Sequence, residues 1–338
     1  MMKKTLKTAA ALAVLATPAI AANMENPLYL PKAGEVYSKT AVGVMYKKTD
    51  STDVLKLKQH AGAEEFPIYR VSEDLGVGIT DRLMVRGQVG WTQDDDIARK
   101  GMHLGRLGLN YRTLDGSSTD GWILDLYADA HLGGISKMKG SINPNMTFNY
   151  DNYTTGQYGA YAGFQVGKKL SEKWTGALFA EAGYYFPSDN TEINIQNSPV
   201  GGLTAYGLSP NITAKMGSSV DYNIGTKFSY DWSEKLTSLF SLTWKHHDAH
   251  KIESVSAESL PAGGAPLVMA QTAIASFKDM DLKDGFNEYA IGVSAAYALY
   301  DNFQVVPYFE YTFDDGEPNS QNSTDIKAEL GVRVNVAF

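Results

Sequence analysis

Cysteine is absent from all 338 residues. That excludes a disulfide-stapled exported fold, thiol chemistry and any cysteine-liganded metal. A basic excess is also missing: the formal charge is −8, which argues against a nucleic-acid partner. Beyond the first two dozen positions no run of about 18 apolar residues occurs, so no helix is expected to cross a membrane. Charged residues are scarce at 20% against 43% hydrophobic, which does not suit a disordered chain. Against these absences stand 20 Tyr, 13 Phe, 5 Trp and 32 Gly with only 12 Pro, a composition that suits β-structure.

The start of the chain is organised as an export signal. Lys3, Lys4 and Lys7 precede an Ala/Leu/Val stretch, Pro18 and an Ala19-Ile20-Ala21 cleavage box, the charged, apolar and small-residue order of a secretory leader. Residues 1–21 are therefore expected to be removed, residues 22–35 to form an N-terminal periplasmic segment, and residues 36–338 to form one domain.

Periodicity sets the fold class. From 325 to 338, Ile326, Ala328, Leu330, Val332, Val334, Val336 and Phe338 occupy one face. Asp325, Lys327, Glu329, Gly331, Arg333, Asn335 and Ala337 occupy the other. Alternation with period two is the strand signature. Soluble strands are usually about 5–6 residues long, whereas a tilted strand crossing a bilayer needs about 9–11. Twelve such segments recur, at 36–47, 66–80, 83–93, 102–112, 121–133, 154–170, 174–186, 217–232, 236–248, 285–299, 303–314 and 324–338. Tight turns at 80–82, 171–173, 233–235 and 300–302, with a slightly longer one at 113–120, alternate with long connections at 47–65, 94–101, 134–153, 187–216, 249–284 and 315–323. Trp122, Trp174, Trp232 and Phe303 lie beside the short turns. Trp91, Tyr184, Phe186, Trp244, Phe313 and Tyr69 lie near the long loops. Two aromatic belts one strand length apart match the two headgroup levels of a membrane.

Together these features resemble the Gram-negative outer-membrane β-barrel proteins, over essentially all of the chain after the leader. The last strand is similar to their C-terminal assembly signal, with Val334, Val336 and a final Phe338, and the Thr-Asp-Arg-Leu and Ser-Glu-Lys-Trp turns are typical of them. The resemblance implies an all-β, antiparallel up-and-down transmembrane barrel of about 12 strands in the cell envelope. Short turns would be periplasmic and long loops extracellular. Implied partners are outer-membrane lipid, lipopolysaccharide and the barrel-assembly machinery.

The polar faces carry the candidate pore lining. Arg70, Asp74, Arg86, Arg106 and Arg112 fall on the second to fourth segments. Asp125, Asp129, Glu181, Glu288 and Glu310 fall on later ones, and Lys227 and Arg333 complete the set. Basic residues on one arc and acidic residues on another would set a transverse field across a water-filled bore; pairing among them would instead close it. Gly76, Gly87 or its neighbours, Gly163, Gly167, Gly225 and Gly292 are expected on the lumen faces, leaving room. Glu73 is in register with the lipid-facing Val71, Leu75 and Val77, so either a bulge shifts the strand or Glu73 sits near the headgroups.

Catalytic signatures are lacking. No Gly-x-Ser-x-Gly occurs, and none of the six histidines stands in a nucleophile-and-base motif. His246-His247-Asp248-Ala249-His250 suits a solvated strand end better than a metal site. No enzyme activity, metal or cofactor is expected.

The functional expectation is a porin-like channel for passive diffusion of small polar solutes. The alternative is a non-conducting barrel serving as a structural element, adhesin or receptor through its loops. Within 249–284, Leu267, Ala270, Ile274 and Phe277 recur at helical spacing after Pro266, which suits a first helical position. Such a helix must bury its apolar stripe, either by folding into the bore as a constriction or by packing on other loops above the mouth.

Overall fold

The computed structural model describes residues 23–49, 67–94, 99–132, 135–143, 146–154, 158–194, 201–248, 252–278, 285–314 and 325–338. The leader-like residues 1–21, and residues 195–200 of the loop centred near 200, lie outside them.

Twelve strands close into an antiparallel barrel. They are β1 (Val36–Thr49), β2 (Ile68–Thr80), β3 (Leu83–Asp94), β4 (Arg99–Asp115), β5 (Ile123–His131), β8 (Gly159–Lys169), β9 (Trp174–Tyr185), β12 (Ser219–Ser233), β13 (Leu236–His247), β15 (Phe286–Tyr300), β16 (Phe303–Asp314) and β17 (Asp325–Ala337). Each pairs with the next in that order. The ring closes through β1 and β17, in unbroken register from Tyr37↔Ala337 to Thr49↔Asp325. Closure removes every edge strand, so all ladder groups are satisfied without water, the condition for spanning lipid. The twelve segments expected from periodicity are these twelve strands.

Five further strands lie in the long connections: β6 (Ile135–Asn143), β7 (Met146–Thr154), β10 (Ser188–Asn194), β11 (Asn211–Met216) and β14 (Ile252–Ala257). β6 pairs with the far end of β4, β7 with β6, β10 with β7 and β11, and β14 with β11. They form one sheet that extends the wall beyond the barrel, opposite the short turns. Connections expected as irregular loops are thus partly strands, because once gathered on one rim they find ladder partners in each other.

The helix expected in 249–284 is α1 (Gly264–Lys278). It docks on this loop sheet. Ala270 and Ile212 are fully buried, with Leu203 and Leu208 around them and Val255, Ala257 and Ile274 packed against the cluster. Of the two possibilities, the observed packing is loop on loop, and a constricting helix in the bore is not observed.

The barrel is apolar outside and polar inside. Leu330 is 62% exposed and Val332 47%, and Leu178, Ile224, Leu242 and Val293 share the outer face. Asp125, Asp129, Glu288, Glu329 and Asn335 are buried. Trp122, Trp174 and Trp232 are exposed at the short-turn end; Tyr69, Tyr184, Phe186 and Phe313 are exposed at the other. An apolar belt around the whole barrel is far larger than a soluble monomer tolerates. It fits a bilayer, with the aromatic rings at its two interfaces.

Glu73 belongs to the outer face without any bulge. It lies opposite Thr40 in continuous β1–β2 register, where it accepts a 2.6 Å hydrogen bond from Ser38 Oγ and another from Thr40 Oγ1. Two neighbouring hydroxyls therefore solvate the carboxylate on the lipid-facing wall. At the C-terminus, Val334 and Val336 lie opposite Thr40 and Ser38. Phe338 exchanges backbone hydrogen bonds with Val36 at 2.8 and 3.1 Å, so this terminus seals the first strand to the last.

Candidate functional site: the barrel lumen

The segment before β1 enters the barrel: residues 23–31 lie inside the bore at its short-turn end, and Lys32, Ala33 and Gly34 are exposed beside the 80–82 turn. Asn23 Nδ2 donates to Asp231 Oδ1 (2.9 Å) and Thr237 Oγ1 (3.1 Å), on β12 and β13. Glu25 takes hydrogen bonds from Arg333 Nη2 (2.6 Å), Asn335 Nδ2 (3.0 Å) and Ser294 Oγ (3.0 Å), on β17 and β15. Across the bore, Gln165 Nε2 of β8 donates to the Pro27 carbonyl at 2.5 Å, and Arg112 Nη2 of β4 to the Leu28 carbonyl at 2.7 Å. The Gly34 amide then bonds the Gly78 carbonyl of β2 at 2.8 Å. The step from β17 at Glu25 to β8 at Pro27 takes the segment across the lumen. Its wall partners flank the short turns, which places it at that end. Met24, 2% exposed, anchors a small apolar cluster with Leu30, Tyr37, Met84 and Ala337.

Glu25 is itself only 2% exposed. Burial pushes its carboxyl up, but Arg333 and Lys39, with the bonds from Asn335 and Ser294, more than offset this and hold it below the ordinary glutamate value. A buried carboxylate with this many donors stays ionised.

Above the segment lies a cavity of about 450 Å³. Its floor is Met24 to Pro27, and its walls include Lys39, Asp74, Arg86, Arg106, Tyr127, Phe179, Glu181, Lys227 and Arg333. Most wall charges are paired. Arg86 holds Asp129 through Nε (3.0 Å) and a second short contact from Nη2. Arg112 holds Asp125 at 2.8 and 2.9 Å. Arg106 reaches Glu181 at 3.4 Å while lying 4.0 Å over the Tyr161 ring, and Asn223 donates to Glu181 at 2.9 Å. Asp74 accepts from Tyr37 OH at 3.1 Å. Nearer the loops, Arg70 bonds Glu329 at 2.6 Å, and Glu288 bridges Lys245 (2.6 Å) and Lys327 (3.0 Å).

The expected picture of two opposed charged arcs is therefore altered. Basic side chains reach sideways to acidic ones on strands nearby, and only unpaired remainders set the field. Glu310 faces the bore in register with Gly292 and Glu329. Lys227 lies 4.9 Å over the Phe179 ring. Of the histidine run, His247 pairs with Asp221 at 3.2 Å and His246 bonds Asn287; His250 lies outside the described residues.

The lumen glycines do a different job from the one expected. A Cβ on Gly225 would meet Phe179 Cζ at 2.6 Å, and one on Gly163 would meet Tyr127 Cζ at 2.7 Å. The rings of Tyr37, Tyr161 and Tyr308 lie likewise over Gly76, Gly183 and Gly331. Each glycine lets a neighbouring ring lie flat against the wall, so the ring lines the bore instead of crossing it. Gly87 is an exception: it sits on the outer face, opposite Leu75 and Leu107. Alternation along the strands already puts Tyr127 and Tyr308 on the polar faces; what it does not announce is the glycine beneath each ring. No periodic pattern announces Glu25 either.

The chain matches no family model and no curated protein. Among solved structures, an outer membrane channel from Pseudomonas putida is similar in fold, with a TM-score of 0.54 and 12% identity over 92% of this chain and 98% of that one. The NalP autotransporter translocator domain from Neisseria meningitidis aligns at TM-score 0.47 and 10% identity, over 99% and 98% of the two chains. The NanC porin aligns at 0.41 and 10%, over 88% and 98%. What this chain shares with the Pseudomonas putida channel is the fold, a closed β-barrel.

Proposed function

We propose that this chain is a porin-like channel of the bacterial outer membrane, passing small polar solutes by passive diffusion and catalysing no reaction. The observation that carries the reading is the polar cavity of about 450 Å³ held open inside the twelve-strand wall. A barrel built only as an anchor has no need to keep aromatic rings flat against its wall by placing glycine beneath them. Diffusion would be filtered by bore radius and by the charges left over after pairing. Refolded protein in a planar lipid bilayer is expected to give discrete conductance steps. Silence in every salt would sink the reading.

One observation favours a second role. The loop sheet and α1 expose Tyr206, Leu260, Val268 and Met269 on the side expected to face outward. Such apolar groups on a rigid platform suit contact with another molecule. Silent bilayers would leave that surface role as the reading to pursue.

A further inference from the structure

The lumen cavity has more cations than anions. Lys39, Arg86, Arg106, Lys227 and Arg333 line it, against Glu25, Asp74 and Glu181. The important question is which of them are already satisfied. Arg333 is held by Glu25, Arg86 by Asp129 behind the lining, and Lys39 Nζ donates to the Met24 carbonyl at 2.9 Å. Lys227 differs. Among the described residues its ammonium has no hydrogen-bond or ion-pair partner, only the face of Phe179 at 4.9 Å.

A second cation of the lining is only loosely held: the Arg106–Glu181 contact is long at 3.4 Å and the Arg106 side chain keeps 22% of its surface exposed. An ammonium offers three donors and a guanidinium five, with no acceptor on either. Leaving such donors unmatched costs free energy unless water or a solute supplies oxygens. The room available fits a small organic molecule, well short of a polymer chain.

We propose that the cavity is an anion-binding site centred on Lys227, and that the solute class it selects is the small aliphatic carboxylates. This rests on the channel reading for its physiological meaning, but the site can be tested without it. A carboxylate would take Lys227 as its charge partner, with the exposed part of the loosely held Arg106 guanidinium as a further donor on the lining. The paired charges around them would keep the wall polar without competing for the ligand.

The test uses the full mature chain, refolded, as wild type, Lys227→Gln and Lys227→Arg. Folding of each is checked by strand content and heat-modifiable migration. In a potassium chloride gradient the wild-type reversal potential should take the sign of chloride preference. Lys227→Gln should lower that preference severalfold, and Lys227→Arg should keep it. Succinate is the probe for block: it should reduce the chloride current, and about tenfold more should be needed in Lys227→Gln, the loss expected for one charge-assisted partner. Cation preference in the wild type, or equal block of wild type and Lys227→Gln, would overturn the site. If no variant conducts, the channel reading fails separately. Equilibrium binding of succinate to the refolded protein then decides the site: binding weakened by Lys227→Gln upholds it, and no binding, or binding indifferent to the substitution, refutes it.

Discussion

Glu25 and Arg333 stand 308 positions apart in the chain and meet at 2.6 Å inside the bore. Through this contact the segment before the first strand is fastened to the last. Glu25→Gln removes the charge but keeps the shape, leaving Arg333 with a weaker partner. The barrel should still fold, because its ladders do not depend on Glu25. The segment should loosen, giving larger or noisier single-channel currents, and removal of residues 23–30 should enlarge the effect. Identical traces from all three proteins would show that this segment does not limit flow.

Acid should act through the same carboxylate. Its value is depressed in the folded state by Arg333 and Lys39, with Asn335 and Ser294 as the other groups facing it. A depressed carboxyl contributes stability above the unfolded value, and that contribution is lost as pH falls through the folded one. The segment should therefore remain attached at neutral and mildly acid pH and release only below the ordinary glutamate value of 4.5. Conductance measured down a pH series should stay flat and then rise at the acid end, with the rise absent in Glu25→Gln. A wild-type rise near neutrality would assign the gating to another group.

The α1 platform should be separable from the bore. Deleting 258–280 removes Ala270 and Ile274 from their cluster with Leu203, Leu208 and Ile212, while every barrel ladder stays intact. Unit conductance should be unchanged, and protease should cut the remaining outer loops faster. A clear increase in conductance would mean that the helix does reach the flow path.

The wall has a sided sensitivity. Arg in place of Leu330, Val332 or Phe228 puts a charge on the lipid face, at a cost of about 2–4 kcal/mol near the midplane. Alternation alone, which puts Asn335 on the lumen face, predicts that Asn335→Arg is the more tolerable change. Asn335 is instead 0% exposed and bonded to Glu25 and Gln304, so a larger cation there overpacks the site by about 1–3 kcal/mol and also strips Glu25 of a donor. Urea titrations of folding into lipid should therefore show all four variants impaired, and only Asn335→Arg should also alter conductance.

The sequence by itself determined the wall. Alternation such as Leu330, Val332 and Val334 against Glu329, Arg333 and Asn335 depends only on the two-residue period of a strand. Strand number, inside and outside, the ends of the barrel and the two aromatic belts all follow from such local patterns. What fills the wall was decided in three dimensions. Arg112 meets Asp125 because the β4–β5 register sets them opposite each other, and Arg86 reaches Asp129 across Gly108 of the intervening β4; no single-strand pattern encodes either pairing. Glu73 looked misplaced until β1 laid Ser38 and Thr40 beside it. Residues 23–31 carry no periodicity, so only the closed bore, with Arg333, Asn335 and Ser294 converging on one carboxylate, gives them a place. The physical reason is the same in each case: alternation is a property of neighbouring residues along the chain, whereas pairing and filling depend on distances across a ring that exists only once all twelve strands have closed.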